Sequence, residues 1–173
     1  MANELSQQRR CIRVHGNAIL IACTIGIILS VYALYVEIHA EGDSSFKAWC
    51  DINSRISCSK VFTSKYGKGF GLLEYVVGKD SILNQPNPIF GIIFYILQLV
   101  CAWNINSNLS SLALGTSILA NCGSVYLASI LVFVLEDLCV VCVTTYVVNA
   151  VILFSCYKRH TNIVQFLKDR KQR

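Results

Sequence analysis

Three stretches of this chain carry no charged side chain: Gly16 to Val36, Ser81 to Leu135, and Leu138 to Tyr157. About 20 helical residues cross the ~30 Å hydrocarbon core of a bilayer. In that core every backbone polar group must find its partner inside the segment, and a helix does this. The second run is too long for one crossing and suits two. Its break is the polar, turn-prone cluster Asn104-Ile105-Asn106-Ser107-Asn108. The chain therefore reads as an all-α membrane protein, a four-transmembrane-helix bundle with spans at about 15–37, 88–104, 109–135 and 138–157. A single integral membrane domain then accounts for residues 1–173. Charged residues make up 14% of the chain, against about 25% in soluble domains. That argues against a soluble globule, a disordered chain and a nucleic-acid module.

The span ends carry their own signals. Asn87 is placed to cap the second helix, and Pro88 suits its first position. The fourth helix follows the third after Glu136-Asp137, whose charges suit a helix N-terminus. Arg9, Arg10 and Arg13 precede the first span, and Lys158, Arg159, Lys168, Arg170, Lys171 and Arg173 follow the last. Four crossings put both ends on one side, and the positive-inside rule makes that side the cytosol, with a cytosolic tail at 158–173. The loop at about 38–87 and the Glu136-Asp137 turn then share the opposite, lumenal face. The competing readings are a cleavable signal peptide over the first run and a three-span count.

Nine cysteines are present. Cys23, Cys101, Cys122 and Cys156 read as small buried hydrophobes, and Cys11 as a membrane-proximal thiol. Cys139-Val140-Val141-Cys142 is a C-x-x-C motif at the start of the fourth helix, where the helix N-terminus favours a thiolate. No second C-x-x-C or histidine pair completes a zinc site, and His15, His39 and His160 are scattered, so no metal is expected. Cys50 and Cys58 lie in the long loop on the same predicted side. Their spacing suits either a permanent staple or a shuttling pair, and both need a disulfide-permissive compartment. Two thiol pairs on one face are what an electron relay requires.

Cys139, Cys142, Tyr146 and Asn149 recur at helical steps and share one face. The Tyr146 hydroxyl can bond a lipid-soluble substrate or a neighbouring helix. Asn149, deeper, is expected to bond between helices. Asn87 either caps its helix or turns into a pocket. Phe90 and Phe94 follow at helical spacing and either line that pocket or pack.

The motif Cys139-Val-Val-Cys142 with Thr144-Thr145-Tyr146 resembles the active site of the vitamin K epoxide reductase family. So do Cys50-Asp51, Ile56-Ser57-Cys58-Ser59, Gly67-Lys68-Gly69-Phe70-Gly71-Leu72, and Asp80-Ser81-Ile82-Leu83-Asn84-Gln85 through Asn87 and Ile89-Phe90-Gly91. The resemblance spans about residues 15–158. It implies a four-helix bundle in the endoplasmic reticulum membrane with a lumenal active site under a lumenal cap loop. It implies that Cys142 attacks a vitamin K quinone or epoxide, that Cys139 closes the active-site disulfide, and that Cys58 and Cys50 relay electrons to it. A thioredoxin-like lumenal oxidoreductase would re-reduce the loop pair, and 4-hydroxycoumarins would inhibit. Asn87 and Tyr146 match the residues that hydrogen-bond the substrate oxygens, Phe62 a residue over the pocket, and Asp51 one that holds the cap. Pro86 and Pro88 depart from the serines that animal members often carry beside Asn87, and stiffen the chain there. A dithiol couple of this kind needs no permanently bound cofactor, and no Gly-rich dinucleotide fingerprint is present. The same sulfurs run in reverse would form a quinone-linked disulfide generator. A structural subunit with stapled cysteines is the non-enzymatic alternative.

Overall fold

The computed structural model describes residues 2–171 except 44, 54, 79, 80 and 83. Asp80, Leu83 and Arg173 of the sequence reading therefore lie outside the described residues. Helix α1 spans Ala2–Gly42. The loop after it holds two short helices, α2 (Cys58–Phe62) and α3 (Leu73–Val77), with a 3₁₀ turn at Gly69–Gly71 between them. Helix α4 covers Asn87–Trp103 and α5 covers Ser107–Ile130, the latter running into a widened π turn at Leu131–Leu135. Helix α6 spans Val140–Lys171.

The break between α4 and α5 falls in the polar cluster, where Asn104 is extended and the Asn106 side chain caps α5 by accepting from the Asn108 amide at 2.8 Å. The outer helices run well past the expected spans of about 15–37 and 138–157. Their continuations are held by packing among charges: Ile12, Ile163 and Phe166 form a buried cluster, and Gln8 Nε2 donates to Asp169 Oδ2 at 2.9 Å. A charge-free run marks where lipid ends, and the helix outlasts it.

Two expectations at helix starts are corrected. Pro86, not Asn87, occupies the cap position of α4, and the Asn87 side chain serves other partners. Glu136 and Asp137 lie ahead of the first turn of α6, because Glu136 takes a left-handed conformation at φ 52°, Leu138 is bridged to Ile56, and the helix starts only at Val140. Asp137 instead pairs with Lys60 at 3.8 Å.

Helix α1 packs against α4 and α6, while α5 packs against α6 and less extensively against α4. At Gly26 a side chain would strike the Tyr95 ring, so this glycine lets α1 and α4 approach closely. The interior is cross-linked by polar groups. Gln98, fully buried, donates to the Ala113 carbonyl and Thr116 Oγ1, both at 3.0 Å, and accepts from the Cys156 thiol at 3.3 Å. The outward faces are apolar: Ile21 and Ile28 on α1, Leu119 and Val125 on α5, and Val147 and Phe154 on α6 are all exposed. An apolar exterior around a polar-stitched interior suits lipid as the surrounding solvent. Among the described residues, α1, α5 with its π turn, and α6 are long and apolar enough to cross a membrane. Helix α4 is apolar with 17 residues, about 26 Å of rise. Cys23, Cys101 and Cys156 are buried as expected, whereas Cys122 is exposed on the outer face of α5.

Candidate redox site

The site forms where the loop is sewn to the start of α6. The Leu138 amide donates to the Arg55 carbonyl at 2.7 Å, and the Ser57 amide donates to the Leu138 carbonyl at 3.0 Å. This short parallel bridge sets Ser57-Cys58 beside Leu138-Cys139. Cys58 opens α2, whose cap Ser57 accepts from the Lys60 amide at 3.4 Å. As a result Cys58 Sγ and Cys139 Sγ lie 3.6 Å apart, and neither residue has any exposed surface. Cys50 and Cys58 are joined in a disulfide, while Cys139 and Cys142 are free thiols. Cys139 directly precedes α6 and its sulfur accepts the Cys142 amide at 3.3 Å, a contact that strengthens when the sulfur is anionic.

The four sulfurs thus form a row. Cys58 and Cys139 are sealed in the middle, and Cys50 and Cys142 are half-buried at the ends. Phe62, Leu131, Val36 and Val141 pack around them, with the π turn bringing Leu131 and Leu135 onto the cluster. A dry surround keeps solvent from the buried sulfurs.

Asp51 locks the loop around this row. It accepts the Ala48 amide at 2.9 Å, Ser57 Oγ at 2.9 Å, the Ser59 amide at 3.1 Å, and Ser59 Oγ. Partial burial works to raise its pKa, but the hydrogen bonds from Ser59, Ala48 and Ser57 outweigh it and hold the carboxyl below its ordinary range.

Asn87 anchors a second part of the loop. Its Oδ1 accepts the Phe70 amide at 2.8 Å and its Nδ2 donates to the Tyr66 carbonyl at 2.6 Å. Gly69, Phe70 and Gly71 all have positive φ, a conformation costly for Phe70 unless held. Held there, the Phe70 ring meets Phe90 at 5.4 Å between centroids. Lys68 pairs with Glu41 of α1 at 2.7 Å, tying the same segment to a second helix. The contacts of Asn87 and Phe90 thus run to residues 66–70, while Phe94 packs against the central core of α1, α4 and α6. Tyr146 lies one turn below Cys142 on α6, half-buried, and its hydroxyl makes no hydrogen bond among the described residues. Asn149 bonds between helices, accepting from Tyr95 Oη at 2.9 Å and donating to Ser124 Oγ at 2.9 Å.

The model of the vitamin K epoxide reductase family matches residues 17–157. The chain belongs to this family. It is 44% identical over 147 residues to vitamin K epoxide reductase complex subunit 1 of Mus musculus and, to the same extent, to that of Rattus norvegicus, a match covering 85% of this chain and 91% of each relative. As a member of the vitamin K epoxide reductase family, the chain is an oxidoreductase, and its cysteines are the groups able to carry the electrons.

Two features of this family member's site were not apparent from its sequence. Tyr32 on α1 points its hydroxyl at Cys50 Sγ, 3.7 Å away, yet an aromatic on an apolar helix has the same pattern as a packing residue. Glu37 is 1% exposed near the end of α1, and neither carboxyl oxygen has a hydrogen-bond partner among the described residues. A lone acid closing a charge-free run was the available signal.

Proposed function

We propose that this chain reduces vitamin K 2,3-epoxide to the quinone, and the quinone to the hydroquinone, using Cys139 and Cys142 as the working dithiol and Cys50 and Cys58 as the relay. Cys142 as thiolate attacks the bound substrate. Cys139 then attacks the Cys142 sulfur, releasing the reduced product and leaving a Cys139–Cys142 disulfide. The epoxide oxygen leaves as water with two protons. The quinone keeps both oxygens and gains two protons and two electrons. In the return steps the Cys58 thiolate attacks Cys139, freeing Cys142. Cys50 next attacks Cys58, freeing Cys139 and forming the Cys50–Cys58 disulfide, which a thioredoxin-like lumenal oxidoreductase reduces by dithiol exchange.

The 3.6 Å contact between the buried Cys58 and Cys139 sulfurs carries this reading, since it puts the inter-pair exchange at van der Waals range. The unpartnered Tyr146 hydroxyl supports a hydrogen bond to a substrate oxygen. Asn87, with one amide hydrogen and one lone pair still uncommitted, supports a second. Phe62 and Phe90 supply apolar walls, and 4-hydroxycoumarin inhibitors such as warfarin, planar and bearing oxygens, would occupy the same space.

The same reading sets the chain in the endoplasmic reticulum membrane with four crossings, the 17-residue α4 being the shortest. Both termini are cytosolic, and the sulfur row lies at the lumenal rim under the loop as a cap. The basic ends and the antiparallel neighbours α5 and α6 support this orientation.

The deciding experiment is epoxide consumption by the purified protein with dithiothreitol. Cys142→Ala is expected to abolish turnover. Cys50→Ala should retain it with dithiothreitol and lose it with a protein dithiol as donor. Absence of turnover in the unaltered protein, or full activity in Cys142→Ala, overturns the reading. The Cys50–Cys58 disulfide, partly exposed at Cys50 alone, also fits the opposite flux, in which the row oxidises a substrate protein and passes the electron pair to a quinone. That reading requires quinone-dependent disulfide formation without epoxide turnover.

A further inference from the structure

At the far end of the bundle from the sulfurs, a cavity of about 450 Å³ opens between the N-terminal half of α1, the end of α4 and the C-terminal half of α6. Arg9, Arg13, Arg159 and Arg170 line it, and no Asp or Glu does. Among the described residues none of these four forms an ion pair. Seventeen residues of α6 separate Arg159 from Cys142, about 25 Å of helix, so this cavity is not part of the redox site.

Arg159 is the unusual member, with 3% of its surface exposed. Its Nη1 donates to the Cys101 carbonyl at 3.3 Å, and its Nη2 to the carbonyls of Ala102 at 2.8 Å and Asn104 at 2.9 Å. These carbonyls end α4, and a helix C-terminus offers about half a negative charge. A guanidinium keeps its whole positive charge in a protein, so the balance is incomplete. Its Nε is buried with no hydrogen-bond partner among the described residues. Burying a charge without a full counter-charge is costly. The α1 backbone passes close to that nitrogen, since a Cβ on Gly16 would sit 3.7 Å from Nε. Arg9 and Arg170 both stack on Phe166, at 5.1 and 6.0 Å from the ring centroid, which holds them at the cavity rim.

Gly16 is the first residue of one charge-free run and Tyr157 the last of another. The cavity therefore straddles the boundary between apolar and charged surface, with the exposed Trp103 beside it. Arginine forks match phosphate oxygens, and basic pockets between membrane helices at the basic end of a bundle receive lipid headgroups. We propose that this cavity binds the phosphate of an anionic phospholipid, with the four arginines around the headgroup and the acyl chains along the exposed apolar faces of α1 and α6. Free phosphate shares the charge, but the lining is half apolar and lies at the lipid boundary, which favours the lipid.

The test titrates the full-length protein, purified in a neutral detergent, with phosphatidylinositol, phosphatidylcholine and inorganic phosphate, and counts retained ligand by native mass spectrometry. One phosphatidylinositol is expected per chain, bound at least tenfold more tightly than phosphatidylcholine. The combined change Arg9→Gln, Arg13→Gln and Arg170→Gln removes exposed arginines, leaves the buried Arg159 in place, and should weaken binding at least tenfold. The combined change Lys158→Gln, Lys168→Gln and Lys171→Gln removes the same charge outside the cavity and should alter binding less than twofold. Three results would overturn the proposal: equal retention of phosphatidylcholine, equal loss in the lysine variant, or displacement of phosphatidylinositol by an equal concentration of inorganic phosphate.

Discussion

Replacing Asp51 by Asn tests how the loop is held over the sulfur row. Each carboxyl oxygen accepts two hydrogen bonds: Oδ1 from Ser57 Oγ and the Ser59 amide, Oδ2 from the Ala48 amide and Ser59 Oγ. An asparagine keeps one oxygen and sets an NH₂ group against donors on the other side. If the oxygen stays toward Ser57, the Ala48 amide faces a donor and loses its acceptor, while Ser59 Oγ can turn and accept. The net loss is one hydrogen bond to a charged group, about 2 kcal/mol within the 1.5–3 kcal/mol range. That corresponds to a roughly 30-fold larger local opening constant. Hydrogen exchange at the Ser59 amide should quicken by about that factor, and alkylation of Cys139 should quicken with it, because Cys58 and Cys139 bury one another. The acid limb gives an independent check. A carboxyl held below its unfolded value of about 3.9 contributes stability in full above that pH, and the contribution is lost as pH falls through the folded-state value. Loop protection in the unaltered protein should therefore hold steady from pH 8 to about 5 and fall below about 4. The Asn variant should lack that acid-induced loss. Equal Ser59 exchange in the two proteins at neutral pH would refute the role given to Asp51.

Three other changes have definite outcomes. Tyr32→Phe deletes the O–H···S contact to Cys50. The lost 0.5–1 kcal/mol should quicken hydrogen exchange at the neighbouring Asp51 amide by about two- to fivefold, and unchanged exchange there would count against it. Asn87→Ala frees the Phe70 amide and the Tyr66 carbonyl, at about 1 kcal/mol each. Exchange across residues 66–71 should quicken roughly 30-fold, while exchange at Ser59 stays as it was. Asn149→Leu leaves Tyr95 and Ser124 without their shared partner. At about 0.6 kcal/mol per bond in a membrane interior, Tm should fall by a few degrees, with the reactivity of Cys50 unaffected.

Absence of charge located the long helices, because a lipid-crossing segment must exclude charge over a length set by the bilayer. It could not locate their ends. Ile12, Ile163 and Phe166 extend α1 and α6 by packing at helical spacing within charged stretches. The C-x-x-C pair was legible because its spacing is local. The approach of Cys58 to Cys139 was not, because it depends on the backbone bridge between Ile56 and Leu138, far apart in sequence. The helices inside the loop, α2 and α3, have 5 residues each, too short for periodicity to register. Asn87 shows a residue type with two uses. An amide before a proline reads as a helix cap, and here the same amide reaches across to a loop folded against it.

The sealing of Cys58 and Cys139 works like the sheath on a wire. Small thiols and peroxides could reach the half-buried Cys50 and Cys142 but not the two sulfurs between them. On the proposed relay, electrons would enter at one end and leave at the other, shielded from solvent between them. A family member that loosened this sheath could still react at each terminal, yet would lose the coupling between its donor and its substrate.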